Sequence, residues 1–158
     1  METQRTVKTC MVTGHRNIPP DKIDHITNEL RREILTAIED GYTHFMSGFA
    51  DGADLIFAAI VADLKSENAA LTLEAAIPYR GRVKTGTKLF HDLLSQCDVI
   101  GIHSESYAPG CFHKRNRFMV SASQRVIAVF DGRENGGTRA TMRHASLQNK
   151  EMKMIDFS

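Results

Sequence analysis

The 158-residue chain has 42% hydrophobic and 25% charged residues and a formal net charge of +1 at pH 7, which is typical of a globular protein. This near-neutral charge excludes a whole-molecule attraction to nucleic acid or to an anionic membrane, so such a partner would need a local patch. No apolar run reaches the length of a membrane span. The three cysteines, Cys10, Cys97 and Cys111, lack the spacing of a disulfide framework or a zinc site, which favours reduced thiols in the cytoplasm.

Hydrophobic spacing and glycine or proline breaks divide the chain into alternating strands and helices. Strands are predicted at residues 6–13, 42–46, 71–77, 98–103, 125–130 and 152–157. Helices are predicted at residues 23–38, 53–64, 87–97, 112–123 and 136–148. Gly41 stands where a helix C-terminal cap is expected. The basic link at residues 78–86 is expected to be mobile, and residues 104–111 are predicted to form a loop.

This alternation predicts an α/β fold, because a strand, a helix and a parallel strand together form a right-handed crossover. We expect a Rossmann-like, mainly parallel sheet of five or six strands with helices on both faces. Residues 125–130 are apolar nearly throughout and are expected to form a central strand. No repeat or domain-scale linker interrupts the pattern, so residues 1–158 are predicted to form a single domain.

Open parallel sheets bind ligands at the carboxyl ends of their strands. Four segments are predicted to lie there, at residues 13–16, 47–54, 104–117 and 131–141. Backbone N–H groups can approach an anion closely at glycines that precede helices, here Gly48, Gly52, Gly136 and Gly137. Bidentate contacts could come from Arg16, Arg115 and Arg117. The pattern favours a phosphate-bearing or nucleotide ligand; the alternatives are tight turns that bind nothing and arginines that form a solvated basic face.

Four further side chains at these strand ends could bind a ligand or transfer protons. Asp51 is expected to cap the following helix, and Asp54 either to hold the glycine loop or to contact a ribose hydroxyl. His15 and His113 are candidate ligand contacts or acid–base groups, with a turn histidine bonded to the backbone as the alternative. The histidines lack metal-ligand spacing, so no metal site is expected. A Walker loop, a Gly-x-Ser-x-Gly elbow and a dinucleotide glycine signature are absent, which argues against an ordinary hydride-transfer enzyme.

The strand-end motifs, taken together, resemble those of the SLOG superfamily, specifically its YpsA-like branch. The motifs are Val12-Thr13-Gly14-His15-Arg16, Ser47-Gly48-Phe49-Ala50-Asp51-Gly52-Ala53-Asp54, Arg115-Asn116-Arg117 and Gly136-Gly137-Thr138. They occur in the family's order, and the resemblance extends from about Val7 to about Ala145. It implies a Rossmann-like domain with a pocket at these motifs.

Two branches of the superfamily assign roles to the matching residues. In the DNA-processing protein of natural transformation, a Gly-x-Ala-x-Gly-x-Asp loop and an Arg-Asn-Arg helix line the pocket, and residues 48–54 and 115–117 are similar. In the LOG phosphoribohydrolases, a Met-His-x-Arg-Lys helix and a Pro-Gly-Gly-x-Gly-Thr-x-x-Glu turn bind a nucleoside monophosphate and cleave its N-glycosidic bond. Residues 112–116 look like the first of these motifs, with Asn116 at the lysine position.

The second LOG motif is altered in this chain. Asn135 replaces its proline, Arg139 a glycine, Ala140 its threonine and Arg143 its acidic residue. An arginine cannot act as a general acid or base near neutral pH. The resemblance therefore supports ligand binding more than hydrolysis.

The leading hypothesis is a cytoplasmic sensor or regulatory domain that binds a nucleotide or ADP-ribose-like ligand. The predicted ligand-binding residues are Thr13, Gly14, His15, Arg16, Gly48, Asp51, Gly52, Asp54, Arg115, Asn116, Gly136, Gly137 and Thr138, with Tyr79 or Tyr107 stacking on the base or sugar. One alternative is an N-glycosidase that uses Asp54, His15 or His113. The other is a nucleic-acid or protein-interaction module, which the near-zero net charge disfavours. The resemblance also implies self-association.

Overall fold

The structure is a computed structural model that describes residues 7–158, in which six strands form one sheet. The strands are β1 (Thr9–Gly14), β2 (His44–Ser47), β3 (Thr72–Ile77), β4 (Val99–Ile102), β5 (Arg125–Phe130) and β6 (Glu151–Asp156). The helices are α1 (Ile23–Glu39), α2 (Ala53–Lys65), α3 (Lys88–Leu94), α4 (Cys111–Ala122) and α5 (Gly137–Leu147). Every strand pairing is parallel, which confirms the predicted Rossmann-like α/β fold.

The strand order is β4-β3-β2-β1-β5-β6. The chain steps outward from β1 to β4, then returns to the other side of β1 and continues with β5 and β6. The order therefore reverses between β1 and β5, which pair from Cys10 opposite Arg125 to Gly14 opposite Val129. In folds of this kind a crevice opens at the carboxyl ends of the two strands that flank the reversal.

Helices cover both faces of the sheet, as predicted. One layer contains α1, α2 and α3, and the other contains α4 and α5. The larger core lies under the first layer, where Leu30, Phe57 and Phe90 are fully buried. A smaller core rich in methionine, including Met11 and Met119, lies under the second layer. All six residues of β5 are buried, consistent with its interior place between β1 and β6.

Most predicted boundaries agree with the structure to within two residues. Gly41 has a φ of +94° and follows α1, as a C-terminal cap requires. The predicted first strand began at Thr6, which lies outside the described residues, and the observed strand begins at Thr9. The helix predicted to reach Cys97 ends at Leu94, because the N–H groups of Gln96 and Cys97 bond three residues back instead of four.

The basic link after β3, which we expected to be mobile, contains a short 3₁₀ helix, Arg80–Lys84. The Arg80 N–H donates to the Ser104 carbonyl at 3.0 Å, so the link is bonded to the loop that follows β4. None of the helices within residues 7–158 combines the length and the apolar character needed to cross a membrane.

Candidate ligand-binding site

A polar cleft of about 370 Å³ lies at the carboxyl ends of β1 and β5, where the strand order reverses. It brings together the end of β1, the start of α2, one face of α4 and the start of α5. The predicted site residues that line it are Thr13, Gly14, His15, Arg16, Asp54, Arg115, Asn116, Gly137 and Thr138. Asn17, Phe112 and Arg133 also line the cleft.

A second cavity of about 320 Å³ adjoins the cleft and lies over the ends of β2 and β3. The two share the walls formed by Arg16, Ala50, Phe112 and Arg115. The second cavity, but not the cleft, is lined by Gly48, Asp51, Tyr79 and Arg82. A ligand in the cleft could therefore extend past Phe112 into this cavity.

The glycine loop after β2 is held by its own side chains. The Ser47 hydroxyl donates to the Asp54 carbonyl at 2.9 Å and accepts the Phe49 N–H at 3.2 Å. Asp54 Oδ2 accepts the Ala50 N–H at 3.2 Å, which confirms that this carboxylate holds the loop. Phe49 adopts a φ of +58°, an unfavourable conformation for a bulky residue, and its fully buried ring packs against Phe90.

Two glycines permit close contact between β1 and α2. A Cβ on Gly14 would lie 2.4 Å from the Ala53 Cβ, and a Cβ on Gly52 would lie 2.4 Å from the His15 carbonyl oxygen. Gly52 also has a φ of +81°, which favours glycine. Gly52 lines neither cavity. Close packing of the turn after β1 against the start of α2 therefore accounts for both glycines.

Arg115 joins α4 to the ends of β2 and β3. Its Nη1 donates to the Gly48 carbonyl at 2.8 Å and to the Ala76 carbonyl at 3.0 Å, while its Nε donates to Asn116 Oδ1 at 2.8 Å. The side chain is buried, yet it lines both cavities. Among the described residues, Nη2 has no hydrogen-bond partner, so its two N–H groups remain for a ligand.

Asp54 is a buried carboxyl group at the cleft wall. Burial raises the pKa of Asp54 to about 6, although Arg115, the Ala50 N–H and Arg16 oppose the rise. No ion pair joins Asp54 to Arg115; both groups lie close to Gly48, where a Cβ would be 2.9 Å from Asp54 Oδ2 and from Arg115 Nη1. Asp54 can therefore exchange a proton close to neutral pH.

His15 faces Asp131, the residue that follows β5. His15 Nε2 accepts the Asp131 N–H at 3.2 Å and lies 3.0 Å from Asp131 Oδ1. Burial lowers the pKa of His15, and Asp131 partly opposes this effect. A hydrogen bond from Arg133 is the largest contribution that lowers the pKa of Asp131 to about 2. His15 thus connects the ends of β1 and β5 as a mainly neutral imidazole at neutral pH.

Comparison with known proteins identifies the family. A family model, YpsA, described as the YspA SLOG family, matches residues 10–158. The chain belongs to this SLOG family. A UPF0398 protein of Bacillus thuringiensis (strain Al Hakam) is 26% identical over 169 residues, covering 96% of this chain and 92% of the relative. A UPF0398 protein of Bacillus pumilus (strain SAFR-032) is 24% identical over 129 residues, covering 78% and 69%.

Two solved structures share the SLOG fold of this chain. DNA processing protein A from Helicobacter pylori, whose structure is described as showing a single-stranded DNA binding mode, superposes with a TM-score of 0.66 and 21% identity. The match covers 94% of this chain but only 65% of that protein. The protein TM1055 superposes with a TM-score of 0.58 and 18% identity, covering 92% and 72%. At these identities the likeness shows the fold alone.

Not all residues of the SLOG motifs reach the cleft. His113 lies on the exposed side of α4 and lines a groove between α4 and α5, away from Asp54 and His15. Gly136 has a φ of +101° and forms the turn before α5, but it does not line the cleft. The predicted capping by Asp51 is wrong, because Gly52 occupies the N-cap position and the exposed Asp51 carboxylate accepts no hydrogen bond within residues 7–158.

Of the two tyrosines that were expected to stack on a ligand, only one lines a cavity. Tyr79 lines the second cavity, whereas Tyr107 is 63% exposed and lines neither cavity. Their rings meet edge to face, with centroids 5.5 Å apart.

Sequence reasoning missed Phe112, Asp131, Arg133 and Arg82 as site residues of this SLOG domain. Asp131 and Arg133 follow β5 directly, and Arg82 belongs to the basic link, so their positions on predicted strand ends were a usable signal. Phe112 occupies the first position of the LOG-like motif at residues 112–116, but an aromatic residue in the first turn of a helix usually belongs to the core. Within the described residues, no group of three or more histidine, cysteine or acidic side chains could hold a metal ion.

Proposed function

We propose that the cleft binds the phosphate group of a nucleotide-related ligand and that the domain acts as a cytoplasmic sensor or regulator. One observation carries the proposal: the start of α5 and the side chains of Arg16, Arg115 and Arg133 line one polar cleft, in which Asp54 is the single carboxylate among the described lining residues. The unpaired N–H groups of a helix N-terminus and guanidinium groups both favour an anion.

The start of α5 and Arg115 supply complementary donors. Gly137 and Thr138 lie in the first turn of α5, whose leading N–H groups have no partner within the helix. A Cβ on Gly137 would meet no atom within 4 Å, so the approach to this turn is open. Arg115 is fixed by its bonds to two backbone carbonyls, so its Nη2 group is oriented before the ligand arrives.

The second cavity is suited to the base or sugar of the same ligand. Phe112 stands between the two cavities, and Tyr79 contacts it edge to face with centroids 6.3 Å apart. An aromatic ring beside a phosphate site provides a stacking surface for a base. Three free cysteines, two of them buried, are consistent with the proposed reducing compartment.

Isothermal titration with a panel of mononucleotides and ADP-ribose tests the proposal. Each charge-assisted hydrogen bond contributes roughly 1.5–3 kcal/mol, so the double variant Arg16→Ala/Arg133→Ala is expected to weaken binding at least about tenfold. Arg31→Ala, which removes an exposed arginine from α1, is the control and should bind normally. If the wild-type protein binds none of these compounds at millimolar concentration, the proposal is wrong.

A second candidate function, cleavage of the N-glycosidic bond of a nucleoside phosphate, is favoured by the carboxyl group of Asp54. With its pKa raised to about 6 at the cleft wall, Asp54 is suited to general acid catalysis near neutral pH. Release of free base from a nucleoside monophosphate, followed by chromatography, is the measurement. If this second function is correct, the wild-type protein should release free base and Asp54→Asn should abolish the release. Recovery of the bound nucleotide intact would exclude the cleavage function.

A further inference from the structure

The groove between α4 and α5 has the properties of a second anion site. It has a volume of about 230 Å³ and is lined in part by His113, Asn116, Arg117, Arg143 and His144. Among the residues that the structure describes, no carboxylate lines it. The sequences of α4 and α5 contain Lys114, Arg115, Arg117, Arg139 and Arg143 but no aspartate or glutamate. Such a charge density is unexpected in a chain whose net charge is only +1.

The exposed basic groups of this groove also differ from those elsewhere on the surface. Outside it, four exposed arginines pair with carboxylates, namely Arg31 with Asp63, Arg32 with Glu29, Arg80 with Glu105 and Arg133 with Asp131, whereas the exposed Arg16 at the ligand cleft does not pair with any described carboxylate. Within residues 7–158, Lys114, Arg117 and Arg143 form no ion pair, and Arg143 donates only to the Glu134 backbone carbonyl. Unneutralised guanidinium groups around a groove attract anions.

The groove adjoins the ligand cleft at Asn116. Asn116 lines both, and its Oδ1 accepts a hydrogen bond from Arg115 Nε, while its amide nitrogen makes no hydrogen bond within residues 7–158. At its other end, the cleft meets the second cavity at Phe112. The polar cleft with its helix N-terminus and the aromatic cavity therefore lie at the carboxyl edge of the sheet, and the basic groove adjoins the cleft and extends between α4 and α5.

We propose that this groove is a second phosphate subsite and that the ligand is a short single-stranded oligonucleotide, an inference that rests on the proposed function of the cleft. One phosphate lies in the cleft, the neighbouring phosphodiester lies against Arg117 and Arg143, and a base stacks at Phe112. Single-strand binding sites combine a basic groove with aromatic stacking surfaces. An acidic peptide or inorganic polyphosphate would engage the arginines but would gain nothing from the aromatic ring.

Two binding measurements test the inference. Fluorescence anisotropy measures the binding of a labelled oligothymidylate of about eight nucleotides, a length within the usual site size. Isothermal titration measures the binding of thymidine monophosphate. Arg117→Ala/Arg143→Ala should weaken oligonucleotide binding at least tenfold and leave binding of the monophosphate unchanged. The slope of log K against log salt should fall in magnitude by about 1.4, because each phosphate contact on a single strand contributes about 0.7. Phe112→Ala should weaken the oligonucleotide as well.

The control Arg31→Ala/Arg32→Ala removes the same charge from α1, in the opposite helix layer. Equal losses in both double variants would mean a general charge effect and would overturn the inference. If the monophosphate binds but the oligonucleotide binds no more tightly, the inference alone fails; if neither binds, the proposed function fails too. Polyphosphate that matches the oligonucleotide in affinity, with no effect of Phe112→Ala, would also overturn it.

Discussion

Asp54→Asn is expected to stabilise the folded protein at neutral pH. Asp54 is only 8% exposed and its carboxyl group forms no ion pair within the described residues, so the fold favours its protonated form. An asparagine keeps an oxygen that can accept the Ala50 N–H and removes the charge. The substitution thus replaces a costly buried carboxylate with a neutral group of the same shape.

The size of the effect follows from the pKa of Asp54, which rises from 3.8 to about 6. Because the folded protein binds this proton more tightly than the unfolded chain, wild-type stability falls as the pH rises through the interval between these two values. At about 1.36 kcal/mol for each pH unit, ionisation costs the wild type roughly 3 kcal/mol at pH 7 and above. The gain in the variant should be roughly half of this near pH 5 and small near pH 4.

Urea denaturation of both proteins at a series of pH values measures this difference directly. Asp51→Asn is the matched control, since Asp51 lies in the same loop but is exposed, and its substitution should change the free energy of unfolding only slightly. The difference between Asp54→Asn and wild type should rise with pH and level off above about pH 7. A constant difference, or destabilisation that grows with pH, would refute the assignment of a raised pKa to Asp54.

Two further predictions concern the same cleft. Gly48→Ala places a Cβ 2.9 Å from Arg115 Nη1 and should lower the free energy of unfolding by about 1–3 kcal/mol. The control Gly137→Ala, whose added Cβ meets no atom within 4 Å, should not lower it. Equal urea midpoints for the two variants would contradict the packing argument. NMR titration of His15 should give a pKa below the ordinary histidine value, because the ring is buried. Asp131→Asn should lower this pKa further, because it removes the carboxylate that favours the imidazolium. A higher His15 pKa in Asp131→Asn would contradict the contact between His15 and Asp131.

The fold could be predicted because its signals are local. Apolar residues recur at helical spacing through α1, a glycine with positive φ follows at Gly41, and β5 is apolar nearly throughout. The glycine loop was also identifiable, because Gly48, Gly52 and Asp54 occur together between a strand and a helix. Each of these features needs only a window of several residues, which a single sequence supplies.

The orientation of side chains on α4 was less evident. Cys111, Arg115 and Met119 recur every four residues and form a buried stripe, so Arg115 points inward while His113 points to the groove. The four-residue spacing is present in the sequence, but the Arg115-Asn116-Arg117 motif presents neighbouring residues as one block. The helical period places Arg115 and His113 in different cavities.

Long-range contacts could not be predicted at all. Arg115 bonds to carbonyls 67 and 39 residues away in the chain, and the Asp131 N–H bonds to His15 from 116 residues away. Such pairs depend on which strands become neighbours. The reversal of strand order between β1 and β5 decides this, and no spacing in the sequence shows it.

The two helix layers give the molecule an electric dipole across the thickness of the sheet. Seven carboxylates and four basic groups lie on α1, α2 and α3, whereas α4 and α5 carry five basic groups and no carboxylate. Net charge conceals this asymmetry. At a pH near its isoelectric point of about 7.8, the protein should still be retained by a cation exchanger, oriented with α4 and α5 toward the resin.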